Sequence, residues 1–191
     1  GNTGVADVAL LGGIGLMGGG MMRDFAIVAT AFGVQLRELK KAGLAGVISI
    51  FAGVIVSFIV GAVIAILFGY TDPAAITTIG AGAVPYIVGP VTGEAIGASD
   101  AVITLSVAAG LVKSILVMIG TPLVAKHIGL DNPQSAMVFG GLMGTTSGVA
   151  AGLAATDPKL VPYGAMTATF YTAVGCLIVP SLLFFLIDII F

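Results

Sequence analysis

The stretch Phe139-Gly-Gly-Leu-Met-Gly-Thr-Thr-Ser-Gly148 combines apolar residues with a cluster of glycines and hydroxyl side chains. It lies inside a run from Asn132 to Thr156 that contains no charged residue. Glycine lets the backbone leave helical geometry, and hydroxyl groups can replace the backbone partners that are then lost. Interrupted backbone at membrane depth is tolerated only where protein or a wet cavity surrounds it. We therefore interpret this stretch as a broken membrane segment and a candidate binding site.

The composition of the whole chain is that of an integral membrane protein. Of its 191 residues, 58% are hydrophobic and only 8% are charged, whereas soluble domains carry roughly 25% charged residues. The formal net charge of -2 gives no indication of nucleic-acid binding. The single cysteine and the single histidine, Cys176 and His127, cannot build a disulfide or a metal cluster within this chain. The first residue is not Met, and we expect the protein to continue before it.

Residues 1–41 are expected to form an N-terminal unit with a broken span and a basic loop. Val8 to Met22 is apolar and rich in glycine, Arg23 and Asp24 follow, and a shorter apolar piece leads to the loop 35–41. Neither apolar piece reaches the roughly 20 residues that cross a bilayer comfortably. Either Arg23 and Asp24 pair at depth in one broken span, or they lie at the interface, where charges are commoner.

Residues 42–191 are expected to form a second unit that contains an internal repeat. An Asx-Pro turn, an interrupted segment, a Ser/Thr-Asp pair and a long helix follow one another twice, in the repeat units 72–126 and 132–188. Pro122 and Pro180 lie late in the two long helices. The predicted long spans are 42–71, 101–125 and 161–187, and the predicted interrupted segments are 74–98 and 133–157.

The charges indicate how the interrupted segments enter the membrane. If each is a re-entrant hairpin, the basic loops 35–41, 126–127 and 159 share one face, and Asp72, Asp100 and Asp188 share the other, which is the positive-inside pattern. If each segment crosses fully, Lys126 and His127 move outside while Lys159 stays inside. The first arrangement fits better and makes successive units inverted. We therefore predict an all-α polytopic protein of the plasma (inner) membrane, with two re-entrant helical hairpins in an inverted repeat and cytoplasmic basic loops.

Lys113 is the only charged residue of the span 101–125 and lies at its centre. A cation at that depth is costly unless it faces a cavity or a partner. It either attracts an anionic substrate, or forms a structural pair with Glu94, or extends towards the interface. Glu94 itself can bind a cation, carry a proton, balance Lys113, or lie at the mouth of its hairpin.

The glycines and hydroxyl groups of the two interrupted segments complete the candidate sites. Half-helix N-termini suit a carboxylate, and unwound carbonyls and hydroxyls suit Na⁺. The same small residues also serve helix packing, which is the alternative for each single hydroxyl. The glycine runs lack the Gly-Lys-Ser/Thr ending of a P-loop, so ATP-driven transport is not expected. We predict a substrate site at Lys113, Thr145, Thr146, Ser147, Thr77 and Thr78, and a Na⁺ site at Glu94, Thr92, Gly144 and Gly89.

Three long strings of the sequence, at 15–33, 78–93 and 135–167, carry a resemblance to a known family. They include Thr-Ile-Gly-Ala-Gly-Ala-Val-Pro-Tyr-Ile-Val-Gly-Pro-Val-Thr-Gly and Gly-Gly-Leu-Met-Gly-Thr-Thr-Ser-Gly. These strings resemble the M subunit of two-component malonate:Na⁺ symporters, MadM, and the resemblance covers essentially the whole chain. More weakly, the region from Pro122 to Pro180 is similar to the larger subunit of the LrgAB/CidAB-type membrane proteins.

The resemblance to the MadM family implies uptake of malonate, a small dicarboxylate, driven by Na⁺ as the coupling ion. It also implies a smaller membrane subunit, MadL, as partner, and an N-terminus that extends further than Gly1. We expect no enzymatic activity and no cofactor, and we expect an elevator-like movement of the hairpins against a scaffold that MadL partly supplies. Two alternatives are a membrane subunit of a Na⁺-pumping decarboxylase complex and a purely structural or pore-forming subunit.

Overall fold

The described part of the chain is built from α-helices. The computed structural model describes the backbone of residues 36–191 and the side chains from Gly43 onward. The all-α class predicted from the sequence is confirmed for this part, which contains no strand. The predicted broken span of the N-terminal unit, with Arg23 and Asp24, lies outside the described residues. The helices are α1 (Leu36–Leu67), α2 (Pro73–Ala83), α3 (Val88–Ile96), α4 (Asp100–Val124), α5 (Pro133–Met143), α6 (Thr146–Ala154), α7 (Val161–Ile178) and α8 (Phe184–Ile190).

Three helical segments of the described range are long and apolar enough to cross a membrane, namely Gly43–Leu67, Asp100–Val124 and Pro158–Ile190. They coincide with the three long spans predicted from the sequence. The third segment is a continuous run of a 3₁₀ turn, α7, a π-helical turn at Val179–Leu183 and α8. The π-helical turn contains Pro180, which lacks the N–H group that a regular α-helix would use there.

The basic stretch 35–41, for which the sequence predicts a loop, is helical from Leu36 as the first part of α1. Its leucines, lysines, arginine and glutamate are strong helix formers, which explains the difference. The helix bends at Gly43, where φ is 66° and ψ is -177°. Glycine adopts this backbone conformation at low cost, so the basic turn and the apolar span are joined by a bend.

Both segments that the sequence predicts to be interrupted are interrupted in the structure. The first is the pair α2 and α3, separated by residues 84–87, and the second is the pair α5 and α6, separated by Gly144 and Thr145. Asp72 and Asn132 are the N-caps of α2 and α5, and each side chain accepts a hydrogen bond from a backbone N–H of the first turn. The Asx-Pro pattern therefore marks a helix start in both repeat units.

The two helices of the first pair run antiparallel. Gly89 of α3 lies against Gly82 of α2, and one turn further on Gly93 lies against Thr78. Because glycine has no side chain, the two backbones approach closely at the level of the break. The depth of this pair in a bilayer stays a prediction, and so does its re-entrant character.

The second pair shares one packing partner, the start of α7. Gly164 of α7 contacts the carbonyl oxygen of Ala136 in α5 and the side chain of Leu153 in α6. Ala136 and Leu153 also belong to one cluster of buried apolar side chains, which joins both arms of the pair to the last long helix. The order of elements occurs twice along the chain, whereas an inverted orientation of the two units stays a prediction.

Candidate functional site

The two helix breaks lie beside the same part of α1. Gly53 lies against the carbonyl groups of Gly141 and Leu142, where α5 ends, and Gly61 lies against Ala83, where α2 ends. Gly53 and Gly61 are about two helical turns apart. The ends of the two short helices therefore meet α1 near the middle of its apolar span.

Lys113 of α4 binds the end of α2 at the first break. Its ammonium group donates hydrogen bonds to the carbonyl oxygens of Ala83 at 2.9 Å and Val84 at 2.7 Å, which are the last carbonyls of α2. The hydroxyl oxygens of Ser57 in α1 and Tyr171 in α7 lie 2.9 Å and 3.3 Å from the same nitrogen, and its third N–H is shared between them. A cation at a helix C-terminus is favoured by the helix dipole. Lys113 thus ties α1, α2, α4 and α7 together at one point.

Tyr171 contacts both breaks. Its buried hydroxyl donates to the carbonyl of Gly53 at 3.1 Å and lies 3.4 Å from that of Val84. The Nζ atom of Lys113 is 5.2 Å from the centre of its ring. The ring also lies against Gly144, so closely that a Cβ atom at this glycine would overlap it. The first and the second break therefore both contact the side chain of Tyr171.

Ser114, the residue after Lys113, binds Thr145 at the second break. Its Oγ lies 2.5 Å from Oγ1 of Thr145, the N-cap of α6, and 3.1 Å from the carbonyl of Gly110. Thr145 Oγ1 also accepts from the N–H of Gly148 in the first turn of α6. The Ser114 hydroxyl can donate its proton to the carbonyl of Gly110 and accept a hydrogen bond from the Thr145 hydroxyl. Both hydroxyl groups then have hydrogen-bond partners.

The predicted substrate residues of the second pair divide into buried and exposed ones. Thr145 is buried and bonded as just described, whereas Thr146 and Ser147 are exposed in the first turn of α6. The first N–H groups of a helix have no partner within it. Among the predicted hydroxyl residues of the substrate site, Thr146 and Ser147 are the exposed ones, whereas Thr77, Thr78 and Thr145 are buried.

The predicted hydroxyls of the first pair are buried without a partner. Thr77, Thr78 and Thr92 are fully buried, and their Oγ1 atoms have no hydrogen bond within the described part of the chain. By contrast, Thr169 and Thr172 each donate to a carbonyl one turn earlier, which is the ordinary solution in a helix. A buried hydroxyl without a protein partner is costly, and such a group calls for a water or an ion as its partner.

The predicted cation-binding residues are not collected at one point. Gly144 lies at the second break against Tyr171, and Gly89 lies at the start of α3 against the side chain of Ser106. Glu94 is exposed in the last turn of α3, about 9 Å along the helix axis from its start. Within residues 36–191, no group of three or more His, Cys, Asp or Glu side chains could hold a metal ion.

Three residues at the breaks were not predicted from the sequence, namely Ser57, Ser114 and Tyr171. Each is a polar residue inside one of the three apolar segments, near its centre. Polar side chains in such segments usually face protein or a cavity and not lipid. That position was the signal available for Tyr171 and Ser57, whereas Ser114 had the additional signal of being next to Lys113.

An open groove leads from the cluster around Lys113 along the surface between α1 and α4. Its volume is about 900 Å³, and its walls are mostly apolar side chains of α1 and α4. Ile79 and Ala83 of α2 and Phe139 of α5 contribute to its lining, and Ser57 and Lys113 are its polar positions nearest the first break. The Lys113 side chain therefore has free space on one side.

Comparison with known protein families matches this chain over residues 1–191 to the family described as the malonate/sodium symporter MadM subunit. No curated protein and no solved structure matches it.

Proposed function

The chain belongs to the malonate/sodium symporter MadM subunit family, and on this premise we propose that it carries malonate into the cell together with Na⁺. Membership implies a symporter subunit in a membrane, in agreement with the three apolar segments of membrane length. The proposal adds the direction of transport, the substrate-contacting residues, and a smaller membrane subunit, MadL, as the partner in the plasma membrane. The observation that supports it best is the meeting of two helix breaks around Lys113, Ser114 and Tyr171.

The lengths of the short helices support a re-entrant arrangement. The 11 residues of α2 and the 9 residues of α3 each span roughly half of a hydrocarbon core of about 30 Å. Two such pairs, entering from opposite faces, would end at the same depth. Broken helices that meet near the membrane centre are the usual site of substrate and ion binding in secondary transporters.

The first turn of α6 is the part of the cluster that fits a dianion best. Its N-terminal N–H groups and the positive end of the helix dipole favour a carboxylate. Thr146 and Ser147 are exposed there, and their hydroxyls can donate to the same group. We assign the malonate carboxylates to this turn and to the Lys113 ammonium, once that group is released from α2.

The first pair is the part that fits Na⁺. Hydroxyl and backbone carbonyl oxygens are hard ligands of the kind such a cation prefers. Thr78 of α2 lies against Gly93 of α3, and Thr92 is the residue directly before Gly93. The hydroxyls of Thr78 and Thr92 are buried and have no hydrogen-bond partner in the described residues. A cation that binds in this pair would stabilise it against the rest of the bundle. Movement of the pairs against a scaffold of long helices and MadL would then carry both solutes, as in an elevator.

Uptake of labelled malonate into proteoliposomes that contain both subunits tests the proposal. We expect an inward Na⁺ gradient to drive accumulation, and an equal K⁺ gradient to give none. Unlabelled malonate should compete with labelled malonate for uptake, whereas a monocarboxylate such as acetate should not. Acetate has one carboxylate and can bind either the first turn of α6 or Lys113, but not both. Uptake that is independent of Na⁺ would contradict the coupling, and absence of malonate uptake would contradict the function.

A charge variant tests the place of the anion. Ser147→Glu puts a carboxylate into the first turn of α6, where the helix dipole favours it, so the helix should stay folded. The new charge would repel malonate, and we expect at least a tenfold lower uptake rate. The matched control is Gln134→Glu, which puts the same charge into the first turn of α5, where the side chain is exposed. Equal uptake by both variants would contradict the binding of malonate at the first turn of α6.

A further inference from the structure

The ammonium group of Lys113 lies in a cradle of four neutral oxygens. Two are the carbonyl oxygens of Ala83 and Val84, and two are the hydroxyl oxygens of Ser57 and Tyr171, all between 2.7 and 3.3 Å from Nζ. These oxygens come from α1, α2 and α7, whereas the ammonium comes from α4. The acceptors thus form a site of their own, which the side chain of a fourth helix fills.

Oxygens of this kind are also ligands for a small monovalent cation. Carbonyls at the C-terminal end of a broken helix carry the negative end of its dipole, and Na⁺ in membrane transporters is coordinated by such carbonyls and by hydroxyls. An ammonium and a sodium ion carry the same single charge. Because the oxygens surround one point, the cradle holds either Lys113 or a sodium ion, but not both.

The surroundings of Lys113 allow its side chain to leave. A lysine side chain is a flexible chain of four methylene groups with a compact charge at its end. On one side of it lies the open groove of about 900 Å³. The walls of that groove are mostly apolar, so a free ammonium is unstable there unless an anion meets it.

We propose that the coupling ion binds not at the Thr78 and Thr92 hydroxyls but at the break of the same helix pair, in the cradle formed by Ser57, Ala83, Val84 and Tyr171. Lys113 occupies this cradle until Na⁺ displaces it. The displaced ammonium then binds a carboxylate of the substrate. This inference rests on the proposed function and gives it a coupling rule. Lys113 can bind malonate only after Na⁺ has displaced it from the cradle. Na⁺ in turn stays bound in the cradle only while the Lys113 ammonium is bound to a carboxylate of malonate.

Direct Na⁺ binding to the purified two-subunit complex without malonate tests the displacement. Lys113→Met keeps the apolar stem but removes the competing charge, so we expect it to bind radioactive Na⁺ at least tenfold more tightly than the wild type. The same variant should lose malonate uptake. If the lysine only stabilises the helix end, its removal leaves Na⁺ binding unchanged or abolishes it, and either result overturns the proposal.

Double variants locate the tight binding. Adding Ser57→Ala to Lys113→Met removes one ligand of the cradle and is expected to weaken Na⁺ binding about tenfold. The matched control adds Ser181→Ala, since the Ser181 hydroxyl is exposed and bonds only within its own helix. Adding Thr92→Val tests the unpartnered hydroxyls of the first pair. A loss of binding with Thr92→Val but not with Ser57→Ala would overturn the cradle as the ion site.

The wild-type complex provides a measurement that does not depend on a folded variant. Displacement moves the Lys113 ammonium from the cradle to a carboxylate of malonate, so Na⁺ with malonate should change the rate at which acetic anhydride modifies Lys113, measured by mass spectrometry. Lys126 is exposed and serves as the internal control. A rate that is identical in Na⁺ and K⁺ overturns the displacement. If uptake itself is independent of Na⁺, the proposed function fails, whereas Na⁺-driven uptake without these changes refutes only the cradle.

Discussion

Lys113 and Ser114 are consecutive residues whose side chains reach different helix pairs. Successive residues of a helix point about 100° apart, so Lys113 reaches the end of α2 while Ser114 reaches the start of α6. The sequence indicates Lys113, because a charge in the centre of an apolar span is rare. For Ser114 the sequence offers only its central position and its place beside Lys113, and a serine in such a helix commonly bonds to its own helix. Which face of α4 meets the second pair depends on packing that one sequence does not reveal.

Replacing Thr145 by Val is expected to lower the melting temperature of the purified protein by several degrees. Valine keeps the shape of the side chain but removes the oxygen that bonds to Ser114 and accepts from the N–H of Gly148. Loss of a helix N-cap costs about 0.5–2 kcal/mol, and Ser114 would lose a buried partner. Thermal unfolding in detergent measures the effect, and Thr145→Ser should keep most of the stability. A valine variant as stable as the wild type would contradict the role of this hydroxyl.

Gly144→Ala is expected to destabilise the protein through two separate effects. The φ angle of Gly144 is 66°, which costs an alanine about 1–2 kcal/mol. Its Cβ would also overlap the Tyr171 ring, which adds an overpacking cost of about 1–3 kcal/mol. Gly97→Ala separates the two, because Gly97 has a φ of 76° with open space around it. The same unfolding assay should show a larger loss for Gly144, and equal losses would argue against the ring contact.

At the scale of elements, the starts of the short helices were more predictable than their ends. The Asx-Pro pattern supplies both a capping side chain and a proline suited to the first turn, and it places the starts at Pro73 and Pro133. Pro85 disfavours helix in the residue before it, which accounts for the end of α2. In the glycine-rich second segment several glycines could end α5. Gly144 is the one that adopts the left-handed C-cap conformation, with a φ of 66°.

The packing of α5 on α7 gives a prediction at this scale. Gly140 lies directly against the backbone of Gly164 and the hydroxyl of Thr167, so a methyl group at this position would push the two helices apart. We expect Gly140→Ala to lower the melting temperature and to speed hydrogen exchange in α5 and α7. Gly120→Ala is the matched control, because a Cβ there meets nothing within 4 Å and alanine favours a helix. Similar behaviour of the two variants would contradict this close approach of α5 and α7.

At the scale of the molecule, the distribution of apolar side chains is that of a membrane protein. Large hydrophobic residues of the long segments are exposed, such as Leu116 and Ile119 of α4, while the polar groups of Lys113 and Tyr171 lie at the contact between helices. Composition and the length of the apolar runs predicted this class and the three long segments. They could not predict which helices pack together, because every face of these helices is apolar and hydrophobic periodicity carries no information on partners.

The direction in which each short pair enters the membrane can be measured with single cysteines. Cys176 is the only cysteine, so Cys176→Ser gives a background without thiols. Suitable positions are exposed and lie at the ends of the two pairs, namely Thr71, Ser99, Lys126 and Lys159. Each is changed to Cys in that background and treated with a membrane-impermeant maleimide, once on intact spheroplasts and once on inside-out vesicles.

If the pairs are re-entrant, each leaves on the face by which it entered. Thr71→Cys and Ser99→Cys should then react from the outside only, and Lys126→Cys and Lys159→Cys from the cytoplasmic side only, in agreement with the positive-inside rule. If the pairs cross fully, the two cysteines of each pair react from opposite sides. That result would remove the re-entrant part of the proposal. It would leave the contacts of Lys113 and Tyr171 unchanged, because these are made within the bundle whatever its orientation in the bilayer.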